Sequence, residues 1–422
     1  MREEIILGLD LGSSQITAVA GQWKESEKSE RVLEILAAAR QSTKGIRGGV
    51  VVDIRETRQA IELIIRDIEK QLETGVRTTY LALRGQHIQS QNNHGTLSIN
   101  RSDREITEDD VKNVIENAKS VRLPHEREIL HSFVQDFSVD HQSGVANPVG
   151  MDGTYLDTDV HIITVSTPQL NNIIKSINSA NLDVVGSVYG IIALAESVAT
   201  PEEKDMGCLV IDFGGATTGV VVFVNGSIRY SREIELEEPG NQRISVGMDL
   251  ITRDILSHFR MLSDNAVRVK EKYGVAMPSL IEKDEVFEYN SGNTSTKKKA
   301  HLSELAEVIA FRLDMLLDII IRDLKRSGYW KNVESGGIIV CGGGAKLVGI
   351  SEAVEKAFNV TARLGLPLNV LGAEEIIKDP TYATAIGLLQ YQKSDEEFFL
   401  GRHRRRSFFG RLLGRLGLED MF

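Results

Sequence analysis

The chain has 422 residues, a formal net charge of −11 and two cysteines. That length exceeds what one small core needs and predicts two or more lobes. The acidic balance argues against general nucleic-acid binding by the body of the chain. Cys208 and Cys341 each sit in or beside an apolar strand-like run and give no disulfide framework. "MREEIILGLD" has neither the basic start nor the long apolar stretch of a secretory signal, and no run reaches transmembrane length, so a soluble, unexported body is expected.

The first element, "GLDLGSSQITAVA", is an apolar strand ending near Asp10, a run of small residues, and a second β-rich run. From about 79 to 158 the chain reads as a module inserted in the first half. It contains strand-like "TTYLALRG", the helix "TEDDVKNVIENAKSV" with Thr107 as cap and an acidic first turn, and strand-like "EILHSFVQDFSVD". At Asp212 the opening pattern returns as "VIDFGGATTGVVV", nearly half a chain later, which predicts two related α/β halves.

A polar excursion near "DEVFEYNSGNTSTKKKAHLS" reads as a surface hairpin or loop. The long segment from Ser303, its expected N-cap, to Gly328 repeats apolar residues at helical spacing (Leu305, Ile309, Leu313, Leu316, Leu317, Ile320, Leu324) and predicts a core helix. A third strand and turn, Ile338 to Gly344, differs from the first two because it feeds a helix from about Ser351. The end of the chain contrasts with the rest: residues 402–415 carry six arginines and no acid.

Small residues directly after a strand let backbone amides approach phosphate oxygens, and successive amides form an anion-binding concavity. Two such loops on matching halves would clamp a polyphosphate from both sides, with Ser13, Ser14, Thr217 and Thr218 adding hydroxyls. Asp10 and Asp212 would then hold Mg²⁺, usually through its waters, against the phosphates. A P-loop needs a Lys-Ser/Thr pair after its glycines and a Rossmann turn feeds a helix; the first two loops here have neither feature. Lone histidines such as His258 and His301 have no paired ligand spacing, so no other metal site is expected.

The last residues place Phe408, Phe409, Leu412, Leu413 and Leu416 on one helical face with Arg411 and Arg415 beside it. Such a helix suits a membrane interface, its arginines near anionic headgroups at roughly 1 kcal/mol each. Docking on the body of the protein or on a partner is the other reading. Gly410, Gly414 and Gly417 each weaken the helix in water by about 1 kcal/mol, so folding would await the membrane.

These segments resemble the actin, Hsp70 and sugar-kinase superfamily, and within it the bacterial cell-division FtsA family. The narrower resemblance rests on "GLDLGSSQITAVAG", "RGGVVVDIRETRQAI", "ITEDDVKNVIENAKSVRLPHEREILHSFVQDFSVD", "NPVGMDGTYLDTDVHIITVS", "VIDFGGATTG", "IIVCGGGAKLVGI" and "PTYATAIGLLQY", spanning most of residues 5–391. It implies an actin-like fold of two duplicated α/β halves, each with an inserted subdomain, plus a C-terminal amphipathic helix. The expected boundaries are 1–78 with 159–205 for the first core, 79–158 for its insertion, 206–244 with 318–391 for the second core, and 245–317 for the second insertion. A linker over 392–401 and a membrane-targeting helix over 402–422 complete the chain.

The resemblance further implies ATP and Mg²⁺ as cofactors. By motif position, Asp10, Gly12, Ser13, Ser14 and Gln15 form the first phosphate loop, and Asp212, Gly214, Gly215, Ala216, Thr217 and Thr218 the second. Gly342, Gly343 and Gly344 form the adenosine turn, with Gly247 and Lys270 near the nucleotide. Implied partners are further copies of the chain, membrane lipids, later division proteins and the C-terminal tail of the tubulin-like FtsZ, bound through 245–317. The implied location is the cytoplasmic face of the membrane at the division site.

Several positions depart from the family pattern. Gly219 and Gly190 stand where the family usually has Asp and Glu, Val267 where it has Glu, and Met248 where it has Gly. Extra residues, "EEPGNQ", precede that last stretch. Loss of these carboxylates predicts ATP binding with weak or absent hydrolysis. Alternatives of the same fold are a pilus-assembly actin-like adaptor and a sugar-kinase or exopolyphosphatase-type enzyme. The basic tail and the missing carboxylates count against the enzyme.

Overall fold

The apolar runs on either side of Asp10 and Asp212 fold as antiparallel hairpins at the centres of two sheets that share one topology. A computed structural model describes residues 5–25, 31–101, 104–238, 242–292 and 297–398. The tail predicted to bind membrane lies outside the described residues, as does part of "EEPGNQ".

In the first half, Ile6–Leu11, Gln15–Glu25 and Arg31–Ser42 form an antiparallel meander, and Thr78–Leu83 and Asp183–Tyr189 add parallel strands beyond Ile6–Leu11. In the second half, Leu209–Phe213, Thr218–Val224 and Ser227–Glu233 repeat the meander, with Ile338–Cys341 and Ala362–Leu364 as the parallel strands. The short strand Val370–Leu371 joins the first sheet beside Arg31–Ser42.

Each parallel strand needs a crossover, and a helix supplies it. Ile54–Leu72 precedes Thr78–Leu83, and Leu302–Ser327 precedes Ile338–Cys341. The long helix buries the apolar positions expected of it, Leu305 through Leu324, and stops at Gly328 in the left-handed conformation. It starts two residues earlier than expected, with Ser303 inside its first turn. Asp284 serves as a distant cap, accepting from the Ser303 backbone N–H and from Ser303 Oγ, both at 2.9 Å.

Each half ends in a helix, Gly190–Val198 and Ala383–Phe398, and these two pack on each other at the junction of the halves. Gly387 permits that approach, because a Cβ there would overlap the carbonyl of Ala193.

The insertion in the first half is a four-stranded antiparallel sheet, Ile88–Ser98, Tyr155–Ser166, Arg127–Val139 and Gln142–Val145. The helix Glu108–Lys119 packs on it, closed by a capping box between Thr107 and Asp110. The small core includes Ile99, Ile106, Val114, Phe137, Val139 and Leu156. Thr78–Leu83, expected at the head of the insertion, pairs instead with Ile6–Leu11 in the core sheet. In the second half, helices Asp249–Phe259 and Ser263–Tyr273 precede the hairpin Val286–Asn290/Lys297–His301, the predicted polar excursion. Phe259, Phe287 and Tyr289 seat that hairpin through edge-to-face and tilted ring contacts. Among the described residues no helix is long and apolar enough to cross a membrane.

Candidate functional site

The two hairpin turns meet. The loop of Gly12, Ser13 and Ser14 reaches the loop of Gly214, Gly215 and Ala216 so closely that a Cβ on Gly215 would overlap Ser14 Oγ. Ser13 Oγ accepts from the Gly49 N–H at 3.3 Å, and Gln15 opens the outgoing strand. The second loop is tied down from below: Met248 N–H donates to Gly214 O at 3.0 Å and Asp249 N–H to Gly215 O at 2.8 Å. Gly247 lies against this loop, where a Cβ would stand 2.7 Å from Thr217 N. Thr217 and Thr218 are buried, and Thr218 Oγ1 has no partner among the described residues.

Asp10 and Asp212 face each other at the root of these loops, each near the end of its half's central strand. A residue that the sequence reading missed lies between them. Arg84 follows Thr78–Leu83 directly; its Nη2 donates to Asp10 Oδ2 at 2.8 Å and to Thr384 Oγ1 at 3.2 Å, and its Nη1 donates to Asp212 Oδ2 at 2.9 Å. Burial raises the pKa of Asp10, with the Arg84 charge pulling the other way and Asp212 pushing it further up. The Arg84 pKa is also raised: the nearby carboxylates outweigh the cost of burial, and a guanidinium does not give up its proton in a protein. Asp10 Oδ1 and Asp212 Oδ1 remain buried without a partner among the described residues.

Glu233, also missed, completes the cluster. It is buried beside Arg84 and accepts a hydrogen bond from the Gly85 backbone, and burial pushes its carboxyl up to about 7. Both newcomers adjoin the glycines at which the resemblance implies acids. A Cβ on Gly190 would stand 3.6 Å from Arg84 Nη2, and one on Gly219 would stand 3.6 Å from Glu233 Oε1. Beside Gly190 and Gly219 the site thus places a basic side chain from the residue after Thr78–Leu83 and an acidic one from Ser227–Glu233.

The third turn joins the same site. Gly342, at φ +81°, lets the chain pass Asp212, whose Oδ1 would overlap a Cβ placed there. Gly343 is open on the side where a Cβ would project, whereas Gly344 is covered: Met248 Cγ would lie 2.6 Å from its Cβ. Lys270 turns inward, its Nζ donating to Thr252 Oγ1 at 2.7 Å and to Met248 O at 3.4 Å, and burial lowers its pKa. A groove of about 430 Å³ continues from this turn past Leu347, Val348, Leu364 and Pro380. The three glycine turns thus meet around Asp10 and Asp212, with Gly247 and Lys270 held against them, while the tail residues Phe408 to Leu416 lie outside the described residues.

One face of the inserted sheet rests on Ser227–Glu233, the edge strand of the second half. Asn92 Nδ2 donates to Arg229 O at 3.0 Å and Gln135 Nε2 to Ile228 O at 2.9 Å. His161 bonds Asn92 Oδ1 at 2.6 Å and Ser231 Oγ at 2.8 Å, and Ser90 Oγ donates to Ser231 O. Arg229 adds an ion pair to Asp136 at 2.9 Å. Burial lowers the His161 pKa to about 3, so the imidazole is neutral there.

Residues 85–164 match the family described as "SHS2 domain inserted in FTSA", and residues 209–387 the family "Cell division protein FtsA". The cell division protein FtsA of Neisseria meningitidis serogroup B is 33% identical over 388 residues, covering 92% of this chain and 90% of that protein. The FtsA of Borreliella burgdorferi is 32% identical over 400 residues, covering 94% and 93%.

Among solved structures, a PilM-PilN type IV pilus biogenesis complex chain aligns with a TM-score of 0.64 at 17% identity, covering 92% of this chain and 98% of that one. MreB5 of Spiroplasma citri bound to ADP aligns at 0.53 and 14%, covering 93% and 98%. Those two likenesses carry the actin-like fold; the sequence identities, sustained through core and insertion alike, carry more. The chain belongs to the FtsA family of cell division proteins.

Proposed function

We propose that this chain is an actin-like adaptor of the division site that ties the FtsZ ring to the cytoplasmic membrane and recruits later division proteins. One observation carries the reading: identity to FtsA proteins runs through about nine-tenths of the chain, including the insertion at 85–164. In this reading the C-terminal tail of FtsZ binds the second-half subdomain, 245–317, where exposed Lys297, Lys298 and Lys299 line one strand of the hairpin. The arginine-rich segment 402–422 is the membrane foot and 392–401 its linker. Copies of the chain associate with one another, and the insertion at 85–164 is available for that contact.

The converging loops hold ATP as a structural ligand, the anion resting on the amides of Gly12 to Ser14 and Gly215 to Thr217. MreB5 of Spiroplasma citri, of the same fold, has been solved with ADP. Hydrolysis is weak, because Gly190 and Gly219 offer no side chain to orient a water.

Co-sedimentation with anionic vesicles tests the adaptor role. The full chain is expected to carry an FtsZ tail peptide into the pellet, and a chain ending at Lys393 to leave it in the supernatant. Equal pelleting by both would overturn the membrane foot. Peptide left behind by the full chain, with the protein itself in the pellet, would overturn the FtsZ contact.

A further inference from the structure

The divalent ion expected between Asp10 and Asp212 meets a guanidinium instead. Mg²⁺ requires a compact octahedron of oxygens and parts reluctantly with its waters. Here Oδ2 of each aspartate is committed to Arg84, at 2.8 and 2.9 Å, and each Oδ1 is buried. A cation placed between the carboxylates would share that space with a fixed positive charge. Among the described residues no group of three or more His, Cys, Asp or Glu side chains is placed to hold a metal ion. These residues do not fit the ion.

They do fit a built-in cation. Arg84 Nη2 lies beside Gly190, where a Cβ would stand 3.6 Å away, and a Cβ on Gly214 of the second phosphate loop would stand 3.7 Å from its Nη1. The guanidinium therefore stands beside the loop that would cradle phosphate and between the carboxylates that would repel it. A bound metal in such a cleft does two things: it offsets the acidic pair and it joins the halves through them. Arg84 does both, with one hydrogen bond to the aspartate of each half.

The register of the repeat supports a dedicated role. Ala82 lies opposite Asp10 as Cys341 lies opposite Asp212, so Arg84, two residues on, is the first-half counterpart of Gly343. One half of the repeat thus presents a bare backbone to the cleft, and the other presents a cation.

We propose that Arg84 is the resident cation of this site, so that the chain binds a nucleoside triphosphate without requiring a divalent metal. The proposal rests on the nucleotide reading above. The test is binding of a fluorescent ATP analogue to the full-length protein at fixed ionic strength, with Mg²⁺ or with EDTA.

Wild type is expected to bind equally, within about twofold, in both. Arg84→Ser frees both carboxylates and is expected to bind about tenfold or more tightly in Mg²⁺ than in EDTA, tenfold corresponding to about 1.4 kcal/mol. Arg84→Lys, which keeps the charge, should restore tolerance of EDTA. Wild-type binding in Mg²⁺ that falls about tenfold on chelation would overturn the resident-cation role and leave the nucleotide reading standing. Failure of wild type to bind under either condition would overturn both. The two wild-type measurements decide the matter even where a variant does not fold.

Discussion

Glu233 Oε1 lies 3.6 Å from the point where a Cβ on Gly219 would stand, and the two residues face each other across antiparallel strands. An acid at 219 would share one buried pocket with the acid at 233. The chain keeps one carboxylate there, and its charge responds to pH.

Glu233 is pushed up to about 7 from 4.5, chiefly by burial. The native state favours its protonated form, so this contribution to stability is fully present below pH 4.5 and is lost as pH rises through about 7. Glu233→Gln is expected to flatten the stability profile over that window, by up to about 3 kcal/mol. Denaturant titrations at pH 5 and pH 8 measure it; parallel profiles for wild type and variant would contradict the assignment. Gly219→Asp, adding a second buried acid, should lose about 1–3 kcal/mol at pH 8.

The neutral histidines give the opposite slope. His161 is held at about 3, and His87 and His131 at about 4, by burial. For a histidine with a depressed pKa, the contribution is present above 6.5 and lost as pH falls through the folded value. Each fully responding histidine removes about 2 kcal/mol by pH 5. His161→Gln keeps hydrogen-bonding capacity and cannot become charged. It is expected to lose less stability than wild type between pH 7 and pH 5, read by thermal melts.

Met248 covers the turn at Gly344. Met248→Ala removes a buried side chain, which costs about 2–5 kcal/mol, yet it clears space over the turn assigned to adenosine. An ATP analogue should bind the variant more tightly at temperatures well below its melt. Unchanged or weaker affinity would place the base elsewhere.

Gly387 lets the two terminal helices of the halves touch. Gly387→Ala pushes a methyl into the Ala193 carbonyl and is expected to cost about 1–3 kcal/mol. A drop in urea midpoint, with the slope retained, is the expected readout. An unchanged midpoint would mean that the helices yield freely.

The repeat was legible because strand, acid and small residues recur as local patterns at Asp10 and Asp212, and the Thr107 cap because its partner Asp110 is three residues away. Arg84 was not, because its partners lie 74 and 128 residues off and nothing in "LALRGQH" announces an ion pair. Glu233 is brought to the same place only when the edge strand of the second sheet meets the start of the insertion. Extending the repeat alignment to its parallel strands, 78–83 over 338–341, would have set Arg84 over Gly343 and exposed the exchange. Ser303 looked like a cap because the side chain that satisfies its N–H comes from Asp284, 19 residues upstream.

The seat of the inserted sheet on Ser227–Glu233 has a mechanical consequence. The insertion belongs to the first half by chain connection and to the second by Asn92, Gln135, His161 and Arg229. With the paired terminal helices and Arg84, the contacts form a closed ring rather than a pair of jaws. Prising the loops apart demands breakage along the seat of the inserted sheet as well, which braces one half against the other.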